Sequence, residues 1–226
     1  MADLAVLIPA LNCEGTIAAV VAGARRFTDT VLVVDDGSGD DTAPLARGAG
    51  ADVLSYDVNR GKGAALLDGM RHLAARGVRR VLTMDADGQH LAEEIPVLVE
   101  ASDREPRALI VGARRVESEP VAAINLFGNR FANRWVEIAC GQAIDDTQSG
   151  FRVYPLAEIL ALPLRARHFG FETEVLIRAA RAGVRIRSVP VRVYYPPPEE
   201  RVSHYRKVVD TTRIVFIVIG LMLRVW

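Results

Sequence analysis

Apolar β-branched runs alternate with helical patterns through the first half of the chain, and this alternation is the strongest constraint on its fold. "LAVLIPA" reads as a strand, "TIAAVVAGARRF" as a helix and "TVLVVDD" as a second strand with a turn at "GSGDD". "DTAPLARGA" (helix), "ADVLSYD" (strand), "KGAALLDGMRHLAARG" (helix) and "RRVLTMD" (strand) follow. Repeated βα units call for an α/β fold, a mostly parallel central sheet flanked by helices. Ligands of such sheets bind outside the carboxyl ends of the strands. Asp35, Asp36, Asp85 and Asp87 all stand at such ends.

With 226 residues, 50% of them apolar, the chain can bury one sizeable core. Its 28 basic and 28 acidic residues cancel, so no global field recruits nucleic acid. Two cysteines, Cys13 and Cys140, are too few for a disulfide framework and point to a reducing compartment. The stretch "MADLAVLIPA" carries an acid at position 3 and is too short an apolar run for a secretory signal, so a cytoplasmic setting is expected.

The second half is less regular. "AINLFGNRFANRWVEIACG" carries Ile124, Phe127, Phe131, Trp135 and Ile138 at helical steps, which predicts a core-facing stripe, with Cys140 as a small buried residue. "GFETEVLIRAARAG" reads as a helix closed by Gly183, and "VRIRSVPVRVYY" as an edge or bulged strand because of Pro190. No linker suggests a second domain, so residues 1–200 are read as one unit and 201–226 as a basic, then apolar, C-terminal helix. The run Ile214–Leu223 is uncharged and lies between Arg213 and Arg224. As a helix it would be about 15 Å long, half of a hydrocarbon core of about 30 Å, so it cannot span a bilayer. It suits a membrane surface, a homo-oligomer interface or burial against the protein. Arg201, His204, Arg206 and Lys207 before it favour an anionic surface.

"TMDADGQH" can be read two ways. Asp and Gly are turn formers. In an extended stretch, however, side chains two apart point the same way, and two hard oxygens then suit Mg²⁺ or Mn²⁺. An EF-hand fits poorly, because the twelfth position counted from Asp85 is Pro96, where a bidentate Glu is needed. His90 is a candidate third ligand. Asp35 and Asp36 can accept hydrogen bonds from a base or a sugar hydroxyl, while Gly37–Asp41 can also cap a helix. "NRGKGAAL" sets Arg60 and Lys62 among glycines before a helix, an anion-binding arrangement that is not a Walker A loop.

The ordered series "IPALN", "VVDDGS", "NRGKGAA", "MDADGQH", "DTQSGFR" and "FETEVLIRA" resembles the family 2 glycosyltransferases with the A-type, Rossmann-like nucleotide-sugar fold. Within them it is most similar to the dolichyl- and polyprenyl-phosphate enzymes, over nearly all of residues 4–195. The resemblance implies that Pro9, Asp35 and Asp36 hold the base and ribose and that Lys62 lies beside the nucleotide. It implies that Asp85 and Asp87 hold a divalent metal on the donor diphosphate. Asp146, with Gln148 and Ser149, then belongs to the sugar and acceptor end. The resemblance also implies that Glu174, and less directly Glu172, is the acid opening the next helix and that Arg152 occupies a basic position able to face the acceptor phosphate. Arg130, Arg134 and Arg201 are further acceptor candidates. Where the family has Asn-Glu, this chain reads Asn12-Cys13-Glu14, so Glu14 receives no role.

The implied function is inverting transfer of a hexose from a UDP- or GDP-linked sugar to a lipid acceptor, polyprenyl phosphate first, peripherally on the cytosolic face of a membrane. A hydroxyl acceptor would need a general base, for which Asp146 is the candidate. A lipid phosphate is already largely anionic at neutral pH, and Asp146 would then only position it. Nucleotidyl transfer should open with a glycine-rich phosphate loop, which "IPALNCEG" is not. A non-catalytic nucleotide-sugar-binding module remains the third reading.

Overall fold

The computed structural model describes residues 3–114, 135–165, 168, 170–194, 215 and 217–221. Among these residues seven strands form one sheet: β1 (Leu4–Ala10), β2 (Val31–Asp35), β3 (Asp52–Ser55), β4 (Arg80–Thr83), β5 (Leu109–Arg114), β6 (Arg152–Pro155) and β7 (Ile186–Val191). Their order is β3-β2-β1-β4-β6-β5-β7. β6 runs antiparallel to β4 and β5, and every other pairing is parallel. The helices of the first half are α1 (Ile17–Arg25), α2 (Thr42–Gly48), α3 (Lys62–Ala75) and α4 (Ile95–Arg104). In the second half, α5 (Leu156–Leu160) and α6 (Gly170–Arg181) are described from end to end.

Burial on both faces explains why β1 is apolar throughout. Ala5 and Leu7 face the core formed with α3 and α6, through Leu66, Met70, Leu73, Phe171 and Val175. Val6 and Ile8 face the opposite core, with Ile17, Val21, Ile95 and Leu98 of α1 and α4. Alternate residues of a strand point to opposite faces, so each face must supply its own apolar set.

The expected βα series is present. Sequence reading did not identify β5, which follows α4, or β6, a strand of four residues that runs straight into α5. Among the described residues β7 lies at the sheet edge and pairs with β5, which agrees with Pro190. The stripe through Trp135 and Ile138 is corrected where it is described. Residues 135–140 are helical, but Trp135 and Ile138 are 43% and 51% exposed, while Val136, Ala139 and Cys140 are buried. Near the C-terminus Ile217, Val218 and Leu221 are buried and Val215 and Ile219 exposed. Among the described residues no helix is long and apolar enough to cross a membrane.

Candidate active site

β1 leads outward to β2 and β3, and the chain then returns to β4 on the other side of β1. Neighbouring strands depart in opposite directions there and leave a crevice at their carboxyl ends. Pro9, Asp35 and Asp36 stand on one side of it and Asp85 and Asp87 on the other.

On the β1–β2 side the loops are fastened by side chain to backbone bonds. The N–H of Asn12 donates to Oγ of Ser38 at 2.8 Å, and that of Gly39 to Oδ1 of Asn12 at 2.8 Å. The Cys13 N–H donates to Oγ1 of Thr42, the Glu14 N–H to Asp40 and the Asp41 N–H to Glu14. Glu14 therefore clasps the two loops together. Asp35 accepts from the Ser38 N–H at 3.1 Å. Asp36 accepts from the N–H groups of Arg60 and Gly61 at 2.7 and 2.8 Å, anchoring the glycine turn before α3. Burial pushes the Asp36 carboxyl above its ordinary range, and these two bonds offset this only in part. Gly37 is required here: its φ is +82°, and a Cβ would lie 2.8 Å from the Asn59 nitrogen.

Lys62 opens α3, and its ammonium lies 2.6 Å from Asp85 and 2.9 Å from Glu172. Burial alone would raise the Asp85 carboxyl, but the Lys62 charge holds it down to about 2. Asp87 accepts from the Gln89 N–H at 3.0 Å. Burial pushes its carboxyl up, and the Asp85 charge adds to the rise. Gly150 comes so close that a Cβ there would lie 2.8 Å from an Asp85 oxygen.

His90 is not arranged as a metal ligand. The Asp85 N–H donates to its Nδ1 at 3.0 Å, which assigns the imidazole proton to Nε2. Neither nitrogen then offers a free lone pair. Its ring stacks on Phe151 with centroids 4.9 Å apart, and burial pushes its pKa below the ordinary imidazole value. His90 props the aspartate turn. No group of three or more His, Cys, Asp or Glu side chains able to hold a metal occurs among the described residues. Two carboxylates nonetheless fit Mg²⁺ or Mn²⁺, which take one or two protein carboxylates and fill the remaining positions with water and substrate phosphate. The unfavourable setting of the Asp87 charge is what a bound cation would relieve.

Beyond the end of β5, Asp146 is held by Arg114, with Nε to Oδ2 at 2.6 Å and Nη2 to Oδ1 at 3.0 Å. Burial opposes ionisation there, yet the Arg114 bonds hold the Asp146 carboxyl below its ordinary range. Gln148 is exposed and Ser149 is buried, with its Oγ accepting from the Phe151 N–H.

Two expectations are corrected here. Arg152 is 0% exposed, and its guanidinium donates to the carbonyls of Ser149, Thr147 and Glu172 at 2.7–2.8 Å. With no open surface it cannot meet an incoming phosphate; it ties the Asp146 loop to α6. Glu174 is likewise fully buried and accepts from Nε of Arg178 at 2.7 Å and from the Arg165 N–H at 2.9 Å. Glu172 is the acid that reaches the crevice. Sequence reasoning missed Arg114, whose signal was a basic residue ending the apolar run "ALIVGAR". Arg130, Arg134 and Arg201 lie outside the described residues.

A family model described as glycosyl transferase family 2 matches residues 5–155. The chain is 34% identical over 202 residues to glycosyltransferase AglJ of Haloferax volcanii, a match covering 86% of this chain and 63% of that one. It is 33% identical over 174 residues to the undecaprenyl-phosphate mannosyltransferase of Micrococcus luteus, covering 71% and 70%. Among solved structures it is similar to glucosyl-3-phosphoglycerate synthase from Mycobacterium tuberculosis in complex with Mn²⁺, uridine diphosphate and phosphoglyceric acid. That match has a TM-score of 0.74 at 25% identity, over 99% of this chain and 78% of the other.

Proposed function

From the membership of this chain in glycosyl transferase family 2, as a glycosyltransferase of A-type fold, we propose that it moves a hexose with inversion from a UDP- or GDP-linked sugar to a lipid phosphate, polyprenyl phosphate first. Pro9, Asp35 and Asp36 line the nucleoside side of the crevice, and Lys62 stands beside the diphosphate. Asp85 and Asp87 are the residues that would hold Mg²⁺ or Mn²⁺. Bound there, the ion would act as a Lewis acid, neutralising charge on the leaving diphosphate.

The observation carrying the acceptor class is the Arg114–Asp146 pair. A carboxylate gripped at both oxygens by a guanidinium, and held below its usual range, is a weak proton acceptor. A hydroxyl acceptor needs such a base. A phosphate monoester, with a second pKa of about 6, is already anionic. Asp146 then orients the site, and Gln148 is the exposed member of its motif that faces solvent. The undecaprenyl-phosphate relative supports the same class. Transfer to a hydroxyl is the second reading, favoured by the phosphoglyceric acid in the solved neighbour.

Labelled sugar from UDP-glucose, and in parallel GDP-mannose, should enter an organic-extractable product with polyprenyl phosphate and Mg²⁺ or Mn²⁺. It should vanish with chelator or with Asp87→Ala. Label appearing only in a water-soluble acceptor would replace the lipid reading with the hydroxyl one. We place the work at the cytosolic face of a membrane, with residues 1–200 as the transferase domain and 201–226 as the membrane-facing segment. The exposed Val215 and Ile219 support this. A chain truncated before Val208 should lose co-flotation with anionic liposomes; unchanged flotation would sink that assignment.

A further inference from the structure

The Lys62 ammonium bridges two carboxylates far apart in sequence, Oδ1 of Asp85 at 2.6 Å and Oε1 of Glu172 at 2.9 Å. The Lys62 side chain is largely buried, and so is that of Glu172. Each partner stands on a fixed frame. Lys62 is the first residue of α3, and the Glu172 carbonyl accepts from the immobilised Arg152 at 2.8 Å. Asp85 is hemmed in by Gly150, where even a methyl group would touch its oxygens. A divalent cation taken up by Asp85 would therefore meet an ammonium already in contact with that carboxylate.

We propose that Glu172 is a positioning residue of the donor site: it tethers the Lys62 ammonium, and keeps it charge-balanced, while Asp85 passes from Lys62 to a divalent cation. The proposal rests on the reading of Asp85 and Asp87 as the metal carboxylates. One ammonium against the three carboxylates Asp85, Asp87 and Glu172 leaves two negative charges, which one divalent cation neutralises. Without Glu172 a single negative charge remains. Lys62 then keeps Asp85 alone of the two carboxylates it bridges and competes directly with the cation. With Glu172 in place the ammonium stays beside the diphosphate site after Asp85 has changed partner, where a compact cation suits a phosphate oxygen.

The test is Mn²⁺ affinity of the full chain, read from the electron paramagnetic resonance signal of free Mn²⁺, with and without UDP, and with thermal unfolding as the check on folding. Glu172→Gln should weaken Mn²⁺ binding about tenfold and Glu172→Asp about threefold, as expected for coupled groups in contact. In a Lys62→Met background the same Glu172→Gln change should move the affinity by less than about twofold, because the tethered group is gone. Wild-type affinity in Glu172→Gln overturns the proposal. So does a full tenfold loss in the Lys62→Met background, since Glu172 would then act by its charge alone. Should Glu172→Gln not fold, Glu172→Asp carries the comparison, and an unchanged affinity there has the same meaning. Wild-type protein binding no Mn²⁺, with or without UDP, would instead remove the metal reading itself.

Discussion

Around the ends of β1 and β2, carboxylates face backbone N–H groups: Asp36 holds Arg60 and Gly61, Asp35 holds Ser38, and Glu14 holds Asp41. On the β5–β6 side they face cationic side chains: Asp146 meets Arg114 and Glu174 meets Arg178. The first arrangement ties one loop to another through peptide groups, Asp36 holding Arg60 and Gly61 and Glu14 holding Asp41. The second works by side-chain charge, between separate segments for Asp146 and Arg114 and within one helix for Glu174 and Arg178. A glycosyltransferase needs both: a preformed cradle for the nucleotide and a fixed wall opposite it across which the sugar is handed over. Asp85 is where the two regions join, since Lys62 belongs to the first and Glu172 to the second.

The largest effect is expected where the second region depends on one side chain. Arg152→Met leaves three buried carbonyls without their donor, each worth about 1–3 kcal/mol when orphaned. Unfolding in urea should show a loss of about 3–5 kcal/mol. Stability within about 1 kcal/mol of wild type, together with abolished transfer, would return Arg152 to the acceptor phosphate.

Asp87→Ala separates function from stability. Transfer should fall about 100-fold or more, the scale of losing an electrostatic group at the reacting centre. The urea midpoint should hold or rise, because a buried charge beside Asp85 has been removed. A variant that lost activity only by unfolding would place Asp87 with the structural carboxylates of the first region.

The contrast between the regions also explains what could be read from sequence. Asp35, Asp36, Lys62, Asp85 and Asp87 lie in short motifs at strand ends, and the βα rhythm locates those ends without knowledge of the fold. Arg114 and Asp146 are 32 residues apart and meet only because antiparallel β6 is inserted between β4 and β5. No local period signals that insertion. Glu172 and Glu174 sit two apart on one helix, and sequence cannot tell which faces Lys62 and which faces Arg178. Arg152 was misread for a similar reason: an arginine after a polar loop looks exposed until three carbonyls are found around it. His90 looked like a ligand by proximity, and the Asp85 N–H directed at Nδ1 reverses that.

The pH dependence of Asp146→Asn gives an intermediate effect. The folded-state pKa of Asp146 is depressed, so its stabilisation is present above the unfolded value of about 3.9 and is lost as pH falls through the folded pKa. At pH 7 the substitution should cost about 1–3 kcal/mol, the range for a charged hydrogen bond. Thermal melts from pH 6 to pH 3 should show the gap between variant and wild type closing toward acid. A gap that widened instead would mean that Arg114 is not what holds the carboxylate.

Asp36→Asn should give the smallest effect and the opposite slope. An amide can accept one of the two N–H groups through its oxygen, but its NH₂ faces the other donor, so about 1 kcal/mol of hydrogen bonding is lost. Removing a charge that burial disfavours offsets part of that loss. Because the folded pKa of Asp36 is raised, its contribution is fully present below the unfolded value of about 3.9 and fades as pH rises through the folded pKa. The penalty of Asp36→Asn should therefore be largest in acid and shrink toward neutrality, where that of Asp146→Asn is greatest. Two carboxylates in one crevice would then respond to the same titration in opposite senses, one held by peptide N–H groups against burial, the other by a guanidinium. Parallel slopes in the two variants would remove that distinction and with it the division of the site into a hydrogen-bonded cradle and a charge-paired wall.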